Sequence, residues 1–192
     1  MGTEEKLLVL TKVARALNAA GIVWAVGASA LLFLEGIADD FADFDLLVVP
    51  EHLEAACLVF EGLGAHRQLE APPSAAYATE SFVEFGLHGV EFDLLSDFAI
   101  RRKDGVYRYP FDEGRIARVR GSGQSRVPLC PLADWFVLYL LMPGRSKKAT
   151  IIAHYLKAEQ KTDSRAWFSL WLHNRLPGDV RESVMSLYNA LA

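Results

Sequence analysis

The sequence predicts an α+β fold, with a mixed sheet flanked by helices and a helical C-terminal part. Three observations predict it. Helical and strand patterns alternate as far as residue 62, two pairs of strand-like runs joined by glycine turns follow between residues 81 and 128, and only helical patterns remain beyond Pro131. The expected division is an α/β core over 1–130 and a helical subdomain over 131–192.

Taken in order, Thr3 followed by Glu4 and Glu5 marks a helix start, and Leu7, Leu8, Val13, Ala14 and Leu17 continue it at near-helical spacing towards Gly21. Residues 22–26 form a short β-branched and aromatic run ending at Gly27, after which 30–34 read as helical before Gly36. Residues 43–49 predict a strand closed by Pro50, and 51–62 an amphipathic helix carrying Leu53, Cys57, Val59 and Phe60. The runs 81–87 and 90–95 pair through the hairpin signal His88-Gly89. A second hairpin is expected where 115–120 and 125–128 flank Gly121-Ser122-Gly123, a reading preferred over a phosphate loop. Helices are expected over 132–142, 147–159, 164–174 and 178–191, and the Pro72-Pro73 loop is expected to rim a pocket.

Composition limits the function. The chain of 192 residues is 52% hydrophobic and 23% charged, enough for a sizeable core, and its net charge of -4 provides no general field for nucleic acid. Cys57 and Cys130 have neither disulfide-framework nor zinc spacing, which predicts a reducing, cytoplasmic setting. The longest apolar stretch, 19–34, is short for a bilayer span and contains Gly21 and Gly27, so no membrane association is expected. The five histidines show no ligand spacing, and there is no nucleophile-elbow motif. Trp167, Phe168 and Trp171 form an aromatic stripe expected to be buried.

The chemistry concentrates in two places. Val26-Gly27-Ala28-Ser29 places a small-residue turn between a strand and a helix, where backbone N–H groups favour an anion, although Gly27 would serve equally as a packing glycine. Asp43 and Asp45 alternate on a strand, so both carboxylates fall on one face, expected to be exposed, while Phe44 and Leu46 enter the core. Glu91 and Asp93 repeat that arrangement opposite Phe92 and Leu94, and if the two strands are neighbours, three carboxylates converge. Such a cluster repels itself unless a cation neutralises it, and an all-oxygen ligand set favours magnesium over zinc.

Strand, Gly27-Ala28-Ser29, helix, then Asp43-x-Asp45 and a later Asp93 resemble the nucleotidyltransferase superfold shared with DNA polymerase β. Gly144-Arg145-Ser146-Lys147-Lys148-Ala149, after Val127-Pro128-Leu129, resembles the tail of small AbiEii-like bacterial nucleotidyltransferases. The resemblance implies transfer of a nucleoside monophosphate from a nucleoside triphosphate to a hydroxyl of an acceptor, a small molecule or tRNA, with magnesium. It assigns the triphosphate to Gly27 and Ser29, the metals to Asp43 and Asp45 with Asp93 completing the acidic set, and activation of the acceptor hydroxyl to Asp93. Lys148, with Arg145 or Lys147, is expected to supply positive charge to the phosphates, against the alternative of a solvated helix start. For a tRNA acceptor, Arg101, Arg102 and Lys103 are the expected basic patch. Ala28 stands where the family has Gly or Ser, and Asp39-Asp40-Phe41-Ala42 where relatives carry Arg and Thr. These departures define the alternative, a catalytically degenerate nucleotide- or protein-binding module.

Overall fold

The structure, a computed structural model, describes residues 2–68 and 75–192. The Pro72-Pro73 loop therefore lies outside the described residues. The first helix, α1 (Thr3–Ala19), starts where the Glu5 carboxylate accepts a 2.8 Å hydrogen bond from the Gly2 N–H, and it buries Leu10, Val13, Ala14 and Leu17. Strand β1 (Trp24–Val26) and helix α2 (Ala28–Leu34) follow around Gly27, then strand β2 (Phe44–Val48). Pro50 ends β2 and opens a single 3-10 turn that leads into α3 (Leu53–Gly62).

Strands β3 (His66–Arg67), β4 (Ser81–Leu87) and β5 (Val90–Ser96) come next. The β4–β5 hairpin turns through His88 at φ 51° and Gly89 at φ 76°, the pair of positive values that matches the twist of a two-residue hairpin. A hairpin not foreseen from the sequence, β6 (Ala99–Arg102) with β7 (Gly105–Arg108), stands apart as a two-stranded sheet. Its strands carry Arg101, Arg102 and Arg108, which hide the short apolar pattern of Ala99, Ile100 and Tyr107. Strands β8 (Arg118–Arg120) and β9 (Val127–Leu129) form the second expected hairpin.

The helical part comprises α4 (Leu132–Leu141), α5 (Ser146–Ala158), α6 (Ser164–Leu172) and α7 (Gly178–Ala190). No helix among the described residues is long and apolar enough to cross a membrane. Phe168 and Trp171 of the aromatic stripe are buried, and Trp167 is only partly so.

Seven strands form one mixed sheet in the order β3-β4-β5-β2-β1-β9-β8. Strand β2 is antiparallel to β1 and parallel to β5, while β1 is parallel to β9. On one face Phe44 stacks on Phe92 at 5.2 Å, and Phe60 of α3 caps the pair through Phe92 and Phe85 at 5.3 and 4.9 Å. Side chains alternate along a strand, so packing Phe44 and Leu46 into this layer turns Asp45 to the opposite face. Parallel pairing of β2 with β5 therefore places the acidic residues of two strands side by side.

Candidate active site

Asp45 of β2 is the direct register partner of Asp93 of β5, and Asp93 is in turn opposite Glu84 of β4. Asp43 stands just before β2. All four line a cavity of about 730 Å³, with Ala28 and Ser29 at the start of α2, Trp135, Tyr139 and Met142 from α4 and its end, and Arg145 and Lys148 at the start of α5. The carboxylates thus lie on a cavity wall rather than on the open strand face expected from alternation alone, because α4 and α5 fold over that face of the sheet.

This placement controls their charge. Burial, then Asp43 and Asp93, push the Asp45 carboxyl up to about 8, against the opposing pull of Lys148 and Arg145. Burial, then Asp43, Glu84 and Glu91, push Asp93 up to about 7. Lys148 is lowered by burial and by Arg145, while Asp45 and Asp43 oppose that shift. Its ammonium lies 5.3 Å from the Tyr139 ring centroid. Lys147 is exposed and does not line the cavity, so Arg145 and Lys148 are the cations that face the acids.

The oxygen donors suit a hard divalent cation, and the raised carboxyls register the repulsion such an ion would relieve. Among the described residues, however, no group of three His, Cys, Asp or Glu side chains stands arranged to hold a metal ion. Asp45 and Asp93 are adjacent, with Asp43 acting on both, but the three do not form a closed cage.

Gly27 has a constraint that local sequence did not reveal. A Cβ built there would lie 2.2 Å from Cζ2 and 2.8 Å from Nε1 of Trp135, so the indole occupies the space that any side chain would need. The Gly27 N–H is already used, donating to the Asp45 carbonyl at 2.9 Å. The close approach supports the packing role, and the residues of the turn that reach the cavity are Ala28 and Ser29. Ala28 adopts φ 45°, a left-handed conformation costing roughly 1–2 kcal/mol in a residue with a Cβ.

Gly27→Ala is expected to destabilise the fold by about 3 kcal/mol, since the Trp135 indole must leave its packing against Phe98 and Tyr139 to make room. Adding Trp135→Phe should recover much of that loss, and urea unfolding of the single and double variants checks the pair.

Several lining residues were not singled out from the sequence: Tyr77, Glu84, Phe98, Trp135 and Tyr139. They come from separate elements and share no spacing motif. The patch of Arg101, Arg102 and Lys103 lies outside the cavity lining, and Arg102 is tied to Asp179 of α7 at 3.0 Å and to the Leu140 carbonyl at 3.2 Å. It serves to hold the β6–β7 hairpin against the helical part.

Compared by sequence, the chain matches no protein-family model and no curated protein. Compared by structure, the match is to nucleotidyltransferases, and the chain has the nucleotidyltransferase fold. It is similar to a Thermotoga maritima protein provisionally assigned as a nucleotidyltransferase, with TM-score 0.62 and 22% identity over 81% of this chain and 95% of that one. It is also similar to ANT(2″)-Ia solved with adenylyl-2″-tobramycin, with TM-score 0.54 and 15% identity over 86% and 97% of the two chains. The solution structure of the antibiotic-resistance factor ANT(2″)-Ia matches with TM-score 0.56 and 14% identity over 100% of this chain and 96% of that one.

Proposed function

We propose that this protein is a magnesium-dependent nucleotidyltransferase, of the small AbiEii-like bacterial kind, that moves a nucleoside monophosphate from a nucleoside triphosphate to a hydroxyl of an acceptor. The observation that carries this reading is the side-by-side placement of Asp45 and Asp93 in one cavity with Asp43, facing Arg145 and Lys148. Asp43 and Asp45, with Asp93 beside them, would hold the metal. Bound there, magnesium would neutralise phosphate charge and favour in-line displacement. Arg145 and Lys148 hold positive charge opposite the acids, where phosphate oxygens are stabilised. In the transfer the acceptor oxygen bonds to the α-phosphorus, the bond to the β-phosphate breaks, and pyrophosphate leaves. The acceptor proton passes to Asp93, which stands beside Asp45 in the cavity.

The lining favours a small-molecule acceptor over tRNA. Arg145 and Lys148 are the basic side chains of the lining among the described residues, enough for a triphosphate but with no further cations to track a phosphate backbone. The tobramycin carried in adenylylated form in the ANT(2″)-Ia complex is of that size class. Cys57 and Cys130 are both free and buried, which supports the cytoplasm as its place.

Calorimetric titration with Mg-ATP and Mg-CTP tests the reading. Wild type is expected to bind in a metal-dependent manner, and the double variant Asp43→Ala with Asp45→Ala to lose that dependence. Equal, metal-independent binding by both proteins would sink it. A second reading, a binding module without turnover, is favoured by the missing three-ligand arrangement. Nucleotide binding with no pyrophosphate release across a panel of hydroxylated acceptors would favour it.

A further inference from the structure

Two buried hydrogen-bonding groups on one face of α4 have no oxygen or nitrogen partner among the described residues, the Trp135 indole N–H and the Tyr139 hydroxyl. These residues are 1% and 2% exposed, their rings lie 5.4 Å apart, and both line the cavity that holds the carboxylates. Leaving such groups unpaired is unfavourable, and where they cluster at a cavity an ordered water fills the place until a ligand displaces it. The Trp135 indole has only the buried Cys130 thiol beside it as a hydrogen-bond partner, and sulfur is a weak acceptor that a phosphate oxygen would displace.

Their chemistry narrows the ligand. An indole N–H can only donate, so its partner must offer an acceptor. The Tyr139 phenol is pushed above its ordinary range by burial and by Asp45, so it keeps its proton and remains able to donate. Trp135 lies against Gly27 beside α2, whereas the Tyr139 ring lies beside the Lys148 ammonium at the start of α5. A ligand touching both would extend from the glycine turn to the two cations and present several acceptor oxygens along its length. A nucleobase offers few such oxygens and no charge for Arg145 and Lys148, whereas a polyphosphate chain offers both.

We infer that Trp135 and Tyr139 are polyphosphate-binding residues, donating hydrogen bonds to phosphate oxygens of the nucleoside triphosphate on the side of the cavity bounded by Arg145 and Lys148. The inference rests on the nucleotidyltransferase reading and adds two ligand-contacting side chains that the acid and glycine motifs do not contain. It also fits the bare Gly27, against which the Trp135 indole packs at the cavity wall.

The test uses Tyr139→Phe, which removes one oxygen without altering the packing shape, and Trp135→Phe as a second variant. Magnesium tripolyphosphate and a non-hydrolysable Mg-ATP analogue are titrated calorimetrically, with melting temperatures recorded with and without ligand. Tyr139→Phe is expected to melt at or above the wild-type temperature when unliganded, because the lost hydroxyl had no partner, yet to bind both probes about tenfold more weakly. A purely structural tyrosine would show neither this pairing nor a diminished ligand-induced rise in melting temperature. Unchanged affinity for both probes in both variants overturns the inference. Weaker binding of the nucleotide but not of tripolyphosphate overturns the phosphate assignment and moves the donors to ribose or base. Wild type that binds neither probe overturns the functional reading itself, and this inference with it.

Discussion

Asp45→Asn is expected to abolish transfer while making the unliganded protein more stable. The loss of activity should be about 1000-fold or more, equivalent to roughly 4 kcal/mol of barrier, because a neutral amide replaces a carboxylate of the proposed metal and phosphate site. The gain in stability has the opposite sign for the same reason. Asp45 is held at about 8 in the folded protein against 3.8 for an unperturbed aspartate, so folding disfavours its ionised form. That penalty is absent below pH about 4, grows as pH rises through the window up to about 8, and is constant above it. Asp93, held at about 7, adds a penalty over a similar window. Wild type should therefore lose stability from these groups as pH climbs from about 4 to 8. At pH 8 the asparagine variant should exceed it by about 2 kcal/mol, a figure reduced for screening by water, Arg145 and Lys148. Near pH 4 the two should coincide. Urea unfolding at pH 4, 6 and 8 measures this, and a variant less stable than wild type at pH 8 would contradict the charge arrangement. A divalent ion that binds the site should erase the difference by competing with protons, so its affinity should rise with pH.

Arg115→Met should be the most damaging single change to the fold, costing about 3–5 kcal/mol. Asp134, in the first turn of α4, is completely buried, and Arg115 Nη1 reaches its two carboxylate oxygens at 3.0 and 3.1 Å. Tyr109 Oη and Trp171 Nε1 each donate to it at 2.7 Å. The Arg115 guanidinium also lies 5.9 Å from each of the two ring centroids, which are themselves stacked at 6.2 Å. Burial raises the Asp134 carboxyl even with Arg115 opposing that shift. Removing the arginine would leave an uncompensated charge at the junction of α4, α6 and the segment between β7 and β8. Combining Arg115→Met with Asp134→Leu should return most of the stability, since neither charge then remains to be satisfied. Unfolding free energies of the single and double variants decide this. Because the residue after Asp134 is Trp135, the single variant should also weaken nucleotide binding, through displacement of α4.

The motifs visible in the sequence located about half of the candidate site. Gly27-Ala28-Ser29, Asp43, Asp45, Asp93, Arg145 and Lys148 all fall in or beside one cavity. They were legible because each lies at a local boundary where turn chemistry or strand alternation leaves a mark. Trp135, Tyr139 and Glu84 leave no such mark: on their own elements they look like core or ordinary surface residues, and only the approach of α4 and β4 to β5 gives them a role. The hairpin β6–β7 escaped for a related reason. Its alternation is short, and its arginines are satisfied by distant carboxylates, Arg102 by Asp179 and Arg108 by Glu80, at 3.0 and 2.6 Å.

By itself, the sequence determined the helices and most of the strands, where most of them end, and that acids, small turn residues and cations are available for phosphate and metal chemistry. Those properties follow from interactions a few residues apart: hydrophobic period, caps, and the φ preferences of glycine and proline. Tertiary structure alone decided that β2 and β5 are parallel neighbours, that α4 closes over their acidic side, and that Gly27 is bare because an indole lies against it. These outcomes depend on pairing and packing between residues far apart in the chain, whose energies no local pattern encodes. Local pattern supplied the charged groups, and packing between distant elements turned them into a cavity with carboxylates on one wall and cations on the other.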